Sequence, residues 1–337
     1  MKIGISLVTF NSEKDIAQCL DSLLLQTKKA DLIYVYDNAS SDDTLEILKK
    51  YPVITLISGP KNLGLSKATN ILWAELRKQK CDVIGWLNPD TVADSNLIEE
   101  VLATMKNCNA SIVQPLILFP DHKKINTRGN TFSYVGITTC LGIGEKIYPE
   151  KDQEILIASG ACLFLNELQY KTPILLDEHF FMYHEDTDLS LRTHLLGGKI
   201  VLSHKAIITH NYIERFSAYK MYYLERNRFL LLCTYYPLLL FIALLPVFFI
   251  FECGMLFYSI LHGYFFEKLK AYWSFFNSFS YIIQKRRELK KIQKISPRDF
   301  FCMLDKKITS SQVPGIYVRV SSFILRNYAK LILFFWR

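Results

Sequence analysis

The sequence predicts an α/β protein whose core is a doubly wound, mostly parallel sheet, followed by an all-α membrane-associated C-terminal region. Three observations carry that expectation. Up to Asp90, short apolar runs rich in β-branched residues alternate with segments of helical period, the pattern of strands buried on both faces and joined by crossover helices. Each run ends in a cluster of polar residues, and ligands of such sheets bind beyond the carboxyl ends of the strands. Residues 229–251 then carry no formal charge, and roughly 20 apolar residues suffice to cross a bilayer.

Taken in order, residues 3–9 form the first strand. Asn11-Ser12 breaks it before a helix over 13–26, where Ile16, Leu20, Leu23 and Leu24 recur at helical spacing. Residues 32–36 form the second strand, and the acidic, serine-rich turn 37–43 suits the start of a helix over 44–50. A third strand over 53–58 stops at Gly59-Pro60, and the loop Lys61-Asn62-Leu63-Gly64 opens a helix reaching Gln79. The fourth strand, 83–87, closes at Asn88-Pro89-Asp90. From 111 to 165 the pattern shortens and Gly129, Gly136, Gly142 and Gly144 accumulate, which predicts a lid or a β-rich insertion. A strand over 155–165 with Ser159-Gly160-Ala161 inside it predicts a close backbone approach. A last strand over 200–208 leads to Thr209-His210.

The 337 residues suffice for a full core. Hydrophobic residues make up 50% and the formal charge is +8, with much of the basic excess after residue 265. That distribution points to anionic lipid rather than nucleic acid, for which no motif occurs. The eight cysteines lack CxxC or any metal-ligand spacing and read as buried thiols in a reducing compartment. The apolar start, residues 1–8, is too short for a signal-peptide core, so the N-terminal part is expected in the cytoplasm.

In the segment 177–198, Glu185, Asp186 and Asp188 follow an aromatic and apolar run, Phe180 to Tyr183, and precede a helix stopped by Gly197 and Gly198. A carboxylate set against an apolar wall loses hydration, its pKa rises, and it becomes a usable general base. The same acids also suit a helix N-terminus, and Asp188 is read that way.

Val8-Thr9-Phe10-Asn11, Asp37-Asn38-Ala39-Ser40-Ser41-Asp42, the stretch from Asn62-Leu63-Gly64 to Asn70, Leu87-Asn88-Pro89-Asp90, Ser159-Gly160-Ala161-Cys162, the segment 177–198 and His210 follow one another in a set order. That ordered set resembles the family 2 glycosyltransferases of the GT-A fold, in particular their rhamnosyltransferase-like branch, over roughly residues 1–230. The resemblance implies that Thr9, Asn11 and Asp37 hold the nucleotide, Asp37 accepting a hydrogen bond from a pyrimidine base. It implies that Asn62, Gly64 and Asn70 lie near the ribose or diphosphate, and that Asp90, with Asn88 beside it, and His210 form the site of a divalent metal, Mg²⁺ or Mn²⁺. The base maps to Glu185-Asp186, with Asp186 preferred and Glu185 positioning the acceptor. A departing diphosphate carries negative charge that such a cation stabilises. Asn88 stands where the motif's first acid is expected, which removes one negative charge from the metal site. The QxxRW string of processive synthases is missing, which favours transfer of a single sugar.

Beyond 251, the apolar stretch 253–266 is too short to span alone, and Pro237 and Pro246 oppose one straight rod. Arg226 and Arg228 before, with Lys268 and Lys270 after, put both ends on the cytoplasmic side, as a re-entrant or shallow hairpin or as two tight crossings. Lys285-Arg286-Arg287 and Lys290-Lys291 suit anionic headgroups, and Arg319, Arg326, Lys330 and Arg337 form one stripe of an interfacial helix. The expected domains are a catalytic domain over 1–225, a hydrophobic helical hairpin over 226–270 and a basic amphipathic tail over 271–337. The expected activity is inverting transfer of one sugar, with dTDP-rhamnose as a donor, to a lipid-linked or growing cell-surface glycan acceptor at the cytoplasmic membrane face. Two alternatives stand beside it: a polyprenyl-phosphate glycosyl synthase, and a non-catalytic membrane-anchored nucleotide-sugar-binding protein.

Overall fold

The structure, a computed structural model, describes residues 1–148, 150–211, 217–308 and 315–335, with side chains omitted at 315–317. Arg337 of the basic stripe lies outside them. The chain divides into two compact units, one of Met1–Asn130, Cys140–His194 and Gly198–Ile213, the other of Thr131–Thr139, Leu195–Gly197 and Glu214–Arg337.

The first unit is built on the four predicted strands. β1 (Ile3–Thr9) is buried throughout, as its apolar run requires. It pairs in parallel with β2 (Leu32–Asp37) on one side and β4 (Val83–Leu87) on the other, and β3 (Thr55–Ser58) extends the sheet beyond β2. The crossovers are α1 (Ile16–Leu24), α2 (Thr44–Leu48) and α3 (Leu65–Lys78). Their apolar stripes enter the core, Leu20 and Leu23 from α1 and Leu72, Trp73 and Leu76 from α3. The elements are shorter than the periodicity suggests, because turn residues at 13–15 and 51–54 take the ends.

The sheet then becomes mixed. After β5 (Thr91–Ala93), α4 (Leu97–Cys108) and β6 (Ile112–Leu118), the insertion over 119–154 is β-rich, with β7 (Ile125–Thr127), the pair β8 (Asn130–Phe132) and β9 (Thr138–Cys140), and β10 (Gln153–Glu154). β11 (Cys162–Asn166) runs antiparallel between β4 and β6, and β12 (Ile200–His210) lies parallel to β6. The strand expected over 155–165 therefore begins only at Cys162. Residues 159–161 leave the ladder where α5 (Glu185–Leu195) begins, since the Gly160 N–H donates to Asp186 Oδ2 at 2.9 Å.

In the second unit, α6 (Ala218–Tyr235) ends before Pro237 and a new helix, α7 (Leu238–Leu261), begins. The apolar run thus breaks at 235–237 rather than at Glu252, and the stretch from 253 continues the same helix. The Arg286 guanidinium, from α9 (Phe279–Ile292), holds the carbonyls of Cys233 and Tyr236 at 2.6 and 2.7 Å and so satisfies the end of α6. Glu252 is accommodated mid-helix by two cations, Arg228 at 2.5 Å and Lys268 of α8 (Phe265–Phe276). Both also bind Glu225, whose carboxyl they hold down at a pKa of about 2 against its burial. Among the described residues α7 is the one helix long and apolar enough to cross a membrane by length and composition, and only 17% of its most apolar window is buried. α10 (Pro297–Met303) and α11 (Gly315–Phe335) complete the unit. The cysteines form no disulfide among the described residues, and Cys140, Cys253 and Cys302 are exposed rather than buried as expected.

Candidate active site

The carboxyl ends of β1 and β2 lie side by side, Thr9 in register with Asp37. Thr9 Oγ1 donates to Asp37 Oδ1 at 3.1 Å, and the Ser40 N–H donates to Asp37 Oδ2 at 3.1 Å, which fixes a fully buried carboxylate at a strand end. Asn11, at φ +52°, accepts the Ser41 N–H on its Oδ1 at 2.8 Å and donates its own N–H to Ser40 Oγ at 2.9 Å. The loop after β3 is pinned to the same edge. Asn38 Oδ1 accepts the Leu63 N–H at 2.7 Å, its Nδ2 donates to the Gly64 carbonyl at 3.3 Å, and Asn62 Oδ1 accepts the Gly64 N–H at 2.8 Å.

Asp90 follows β4 directly. β12 runs antiparallel to β5, pairing His210 with Thr91, and the Asn211 N–H donates to the Asp90 carbonyl at 2.8 Å. This register brings His210 Nε2 to 3.2 Å from Asp90 Oδ1. The Asn88 N–H is held by the Ala161 carbonyl at 2.9 Å, and its side chain is half-buried. No group of three or more His, Cys, Asp or Glu suited to a metal occurs among the described residues. Two protein donors nevertheless fit Mg²⁺ or Mn²⁺. Such ions commonly take one or two protein ligands and fill the remaining positions with water and phosphate oxygens.

At the start of α5 the two acids differ in environment. Asp186 is half-buried and accepts three hydrogen bonds, from the Gly160 N–H at 2.9 Å, the Thr187 N–H at 2.6 Å and the Thr187 hydroxyl at 3.2 Å. Glu185 is 5% exposed, and its Oε2 is buried with no hydrogen-bond partner among the described residues. Burial first, and then the neighbouring Asp186 charge, push the Glu185 carboxyl up to about 8. Burial also raises Asp186, but its hydrogen bonds work against the rise. Two adjacent carboxyls that cannot both ionise share one charge. The three donors on Asp186 favour the charge there, and the buried Glu185 Oε2, with no hydrogen-bond partner among the described residues, favours the proton there.

Residues 5–167 match the family described as glycosyl transferase family 2. Over that stretch, just under half of its length, the chain is similar to glycosyltransferase family 2. Two curated relatives agree. The low-salt glycan biosynthesis hexosyltransferase Agl10 of Haloferax volcanii is 27% identical over 237 residues, 68% of this chain and 74% of the relative. The N-acetylglucosaminyl-diphospho-decaprenol L-rhamnosyltransferase of Mycobacterium tuberculosis is 27% identical over 228 residues, 60% of this chain and 74% of the relative. Among solved structures, S. aureus TarS 1-349 in complex with UDP aligns with 100% of this chain and 92% of its own, at TM-score 0.51 and 17% identity. GalNAc-T7 with UDP, GalNAc and Mn²⁺ aligns at TM-score 0.51 and 15% identity over 64% of this chain, which spans 44% of that protein. These likenesses give the glycosyltransferase its GT-A-like fold.

Several side chains and carbonyls around the site have structural roles beyond their sequence reading. Asn70 turns its amide to the backbone of Leu176, donating and accepting at 2.8 Å each way, so both ends are engaged in holding residues 176–178 to α3. Asp188 lies in the first turn of α5, as its reading as a helix-start acid expects, and is in addition fully buried and bound to Arg192 at 2.6 Å. Asn38 holds the loop 62–64 but reads in the sequence as an ordinary turn residue. Phe181 reads in the sequence only as part of the apolar run 180–183. Its carbonyl accepts the Leu65 N–H at 2.7 Å, and nothing in a Phe-Phe dipeptide signals that role.

Proposed function

We propose that the protein transfers one sugar, with inversion, from a nucleoside-diphosphate sugar to a hydroxyl of a lipid-linked or growing glycan acceptor at the cytoplasmic face of a membrane. The observation that carries this reading is the contrast within Glu185-Asp186: a carboxylate that accepts three hydrogen bonds beside a buried one whose Oε2 has no hydrogen-bond partner among the described residues. Asp186 takes the acceptor hydroxyl's proton as its oxygen attacks the anomeric carbon. The new C–O bond forms as the bond from that carbon to the diphosphate breaks, and the nucleoside diphosphate leaves with the electron pair. Positioned general bases accelerate such steps about 10²- to 10⁴-fold. The Gly160 N–H aims Asp186, and the protonated Glu185 keeps a second negative charge away from it.

Thr9, Asn11 and Asp37 hold the nucleotide in this reading, with Asn62 and Gly64 beside the ribose and diphosphate. Asp90 and His210 would hold the divalent metal, which supplies positive charge to the leaving diphosphate. The helices of the second unit bind membrane lipid through α7, whose exposed face carries Leu239, Ile242, Phe249, Phe257 and Ile260. The relatives' names, a hexosyltransferase of glycan biosynthesis and a rhamnosyltransferase acting on a decaprenol-linked sugar, support a lipid-linked acceptor and make dTDP-rhamnose the first donor to test. The test is a panel of nucleotide sugars incubated with the protein, membrane lipid extract and Mg²⁺ or Mn²⁺, reading released nucleoside diphosphate and sugar gained by the lipid fraction. Release with a matching lipid product supports the reading, and nucleotide binding with no release from any donor contradicts it.

A further inference from the structure

We infer that Phe181 is a positioning residue that joins the donor loop to the base, so that displacing Gly64 displaces Asp186. The inference rests on the donor-loop and base assignments above. It comes from one backbone contact and its surroundings. The Phe181 carbonyl accepts the N–H groups of Leu65 and Ser66, at 2.7 and 3.3 Å, which are the first two residues of α3. A helix start leaves its first N–H groups without helical partners, and here a carbonyl from 116 positions downstream (181 − 65) takes them.

The approach is close enough to dictate the residue at 64. A Cβ there would lie 2.5 Å from Phe181 Cδ2 and 2.7 Å from its carbonyl oxygen, and Gly64 sits at φ +82°. Glycine is required at 64 by this contact as well as by its own backbone. On the other side of the joint the chain has little freedom. Phe181, Tyr183 and His184 all hold φ between +63° and +67°, a region that residues with side chains enter only when their surroundings impose it. The His184 carbonyl then accepts the Asp188 N–H at 2.9 Å, which starts the helix that carries Glu185 and Asp186.

A continuous path results. It runs from Asn38 at the end of β2, through the loop 62–64 that Asn38 pins from both sides, across the Phe181 carbonyl, to Asp186 and its Gly160 anchor. When the donor loop is seated, the base is held in place. When the loop shifts, the strained run 181–184 shifts with it and the burial of the carboxylate pair changes.

The test compares the full-length wild type with Gly64→Ala and Phe181→Leu. The Gly64→Ala variant forces the carbonyl away, whereas Phe181→Leu keeps the carbonyl and an apolar side chain. Amide hydrogen exchange of the free proteins reads the joint directly. Gly64→Ala should speed exchange at Leu65, Ser66 and residues 185–188 at least tenfold while leaving Ile3–Thr9 and Val83–Leu87 unchanged, and Phe181→Leu should remain close to wild type. The kcat–pH profile of Gly64→Ala should show a lowered plateau and a displaced acidic limb. A rise in donor KM alone, with unchanged exchange at 185–188, would overturn the inference. Failure of the donor assignment reads separately, as wild-type exchange over residues 9–40 that neither UDP nor dTDP alters.

Discussion

Replacing Glu185 by Gln should change how folding stability depends on pH, by an amount that follows from one buried carboxyl. With an ordinary value of 4.5 in the unfolded chain and a folded value of about 8, the group is neutral in both states below pH 4.5 and contributes no penalty there. As pH rises, the unfolded chain releases the proton and the folded one keeps it, so stability falls between pH 4.5 and 8. At pH 7 the loss amounts to about 3 kcal/mol, from about 1.4 kcal/mol per pKa unit acting over the interval from 4.5 to 7. Glutamine has no proton to exchange, and any cost of burying its amide is the same at every pH. Urea unfolding at pH 4.5, 6 and 7, followed through the fluorescence of the buried Trp73 and Trp86, should therefore show Glu185→Gln gaining on the wild type as pH rises, by about 3 kcal/mol over the range. A constant difference between the two proteins across that range would refute the placement of the proton on Glu185.

Removing Asn70 separates architecture from ligand binding: Asn70→Leu should cost about 2–3 kcal/mol through the two bonds to Leu176, with donor KM unchanged in the protein that folds. Lys268→Met leaves Glu225 and Glu252 with one cation between them and should destabilise the helical unit by about 3–5 kcal/mol, measured by thermal unfolding. Asp90→Ala and His210→Ala should each raise the Mg²⁺ or Mn²⁺ concentration needed for half-maximal nucleotide release by tenfold or more. Phe249→Asp, on the exposed face of α7, should lower co-sedimentation with anionic vesicles several-fold without changing nucleotide binding.

Strands β1, β2 and β4 were legible because each is a short apolar run closed by polar residues, and burial on both faces of a parallel sheet demands that pattern, whereas β3 lies at the sheet edge and is only partly buried. The burial of Glu185 behind the aromatic run accords with the sequence, which equally allowed these acids the helix start they occupy. What stayed hidden depends on partners far apart in sequence. Asn70 meets Leu176, and Phe181 meets Leu65, only after folding. Glu252 read as the end of the apolar run because its cations, Arg228 and Lys268, approach from two other helices. Asp188 is a different case: Arg192 stands four residues on, the spacing at which helical ion pairs form, so its pairing could have been read.

The most direct test of the mechanism compares nucleotide release and product formation by wild type, Asp186→Asn and Glu185→Gln at one pH near neutrality with a turned-over donor. The account predicts that Asp186→Asn loses at least about a hundredfold in kcat, while Glu185→Gln, which preserves the neutral partner, stays within tenfold of the wild type. Substantial turnover in Asp186→Asn would contradict a deprotonated hydroxyl acceptor and would instead indicate an acceptor, such as a polyprenyl phosphate, that needs no base.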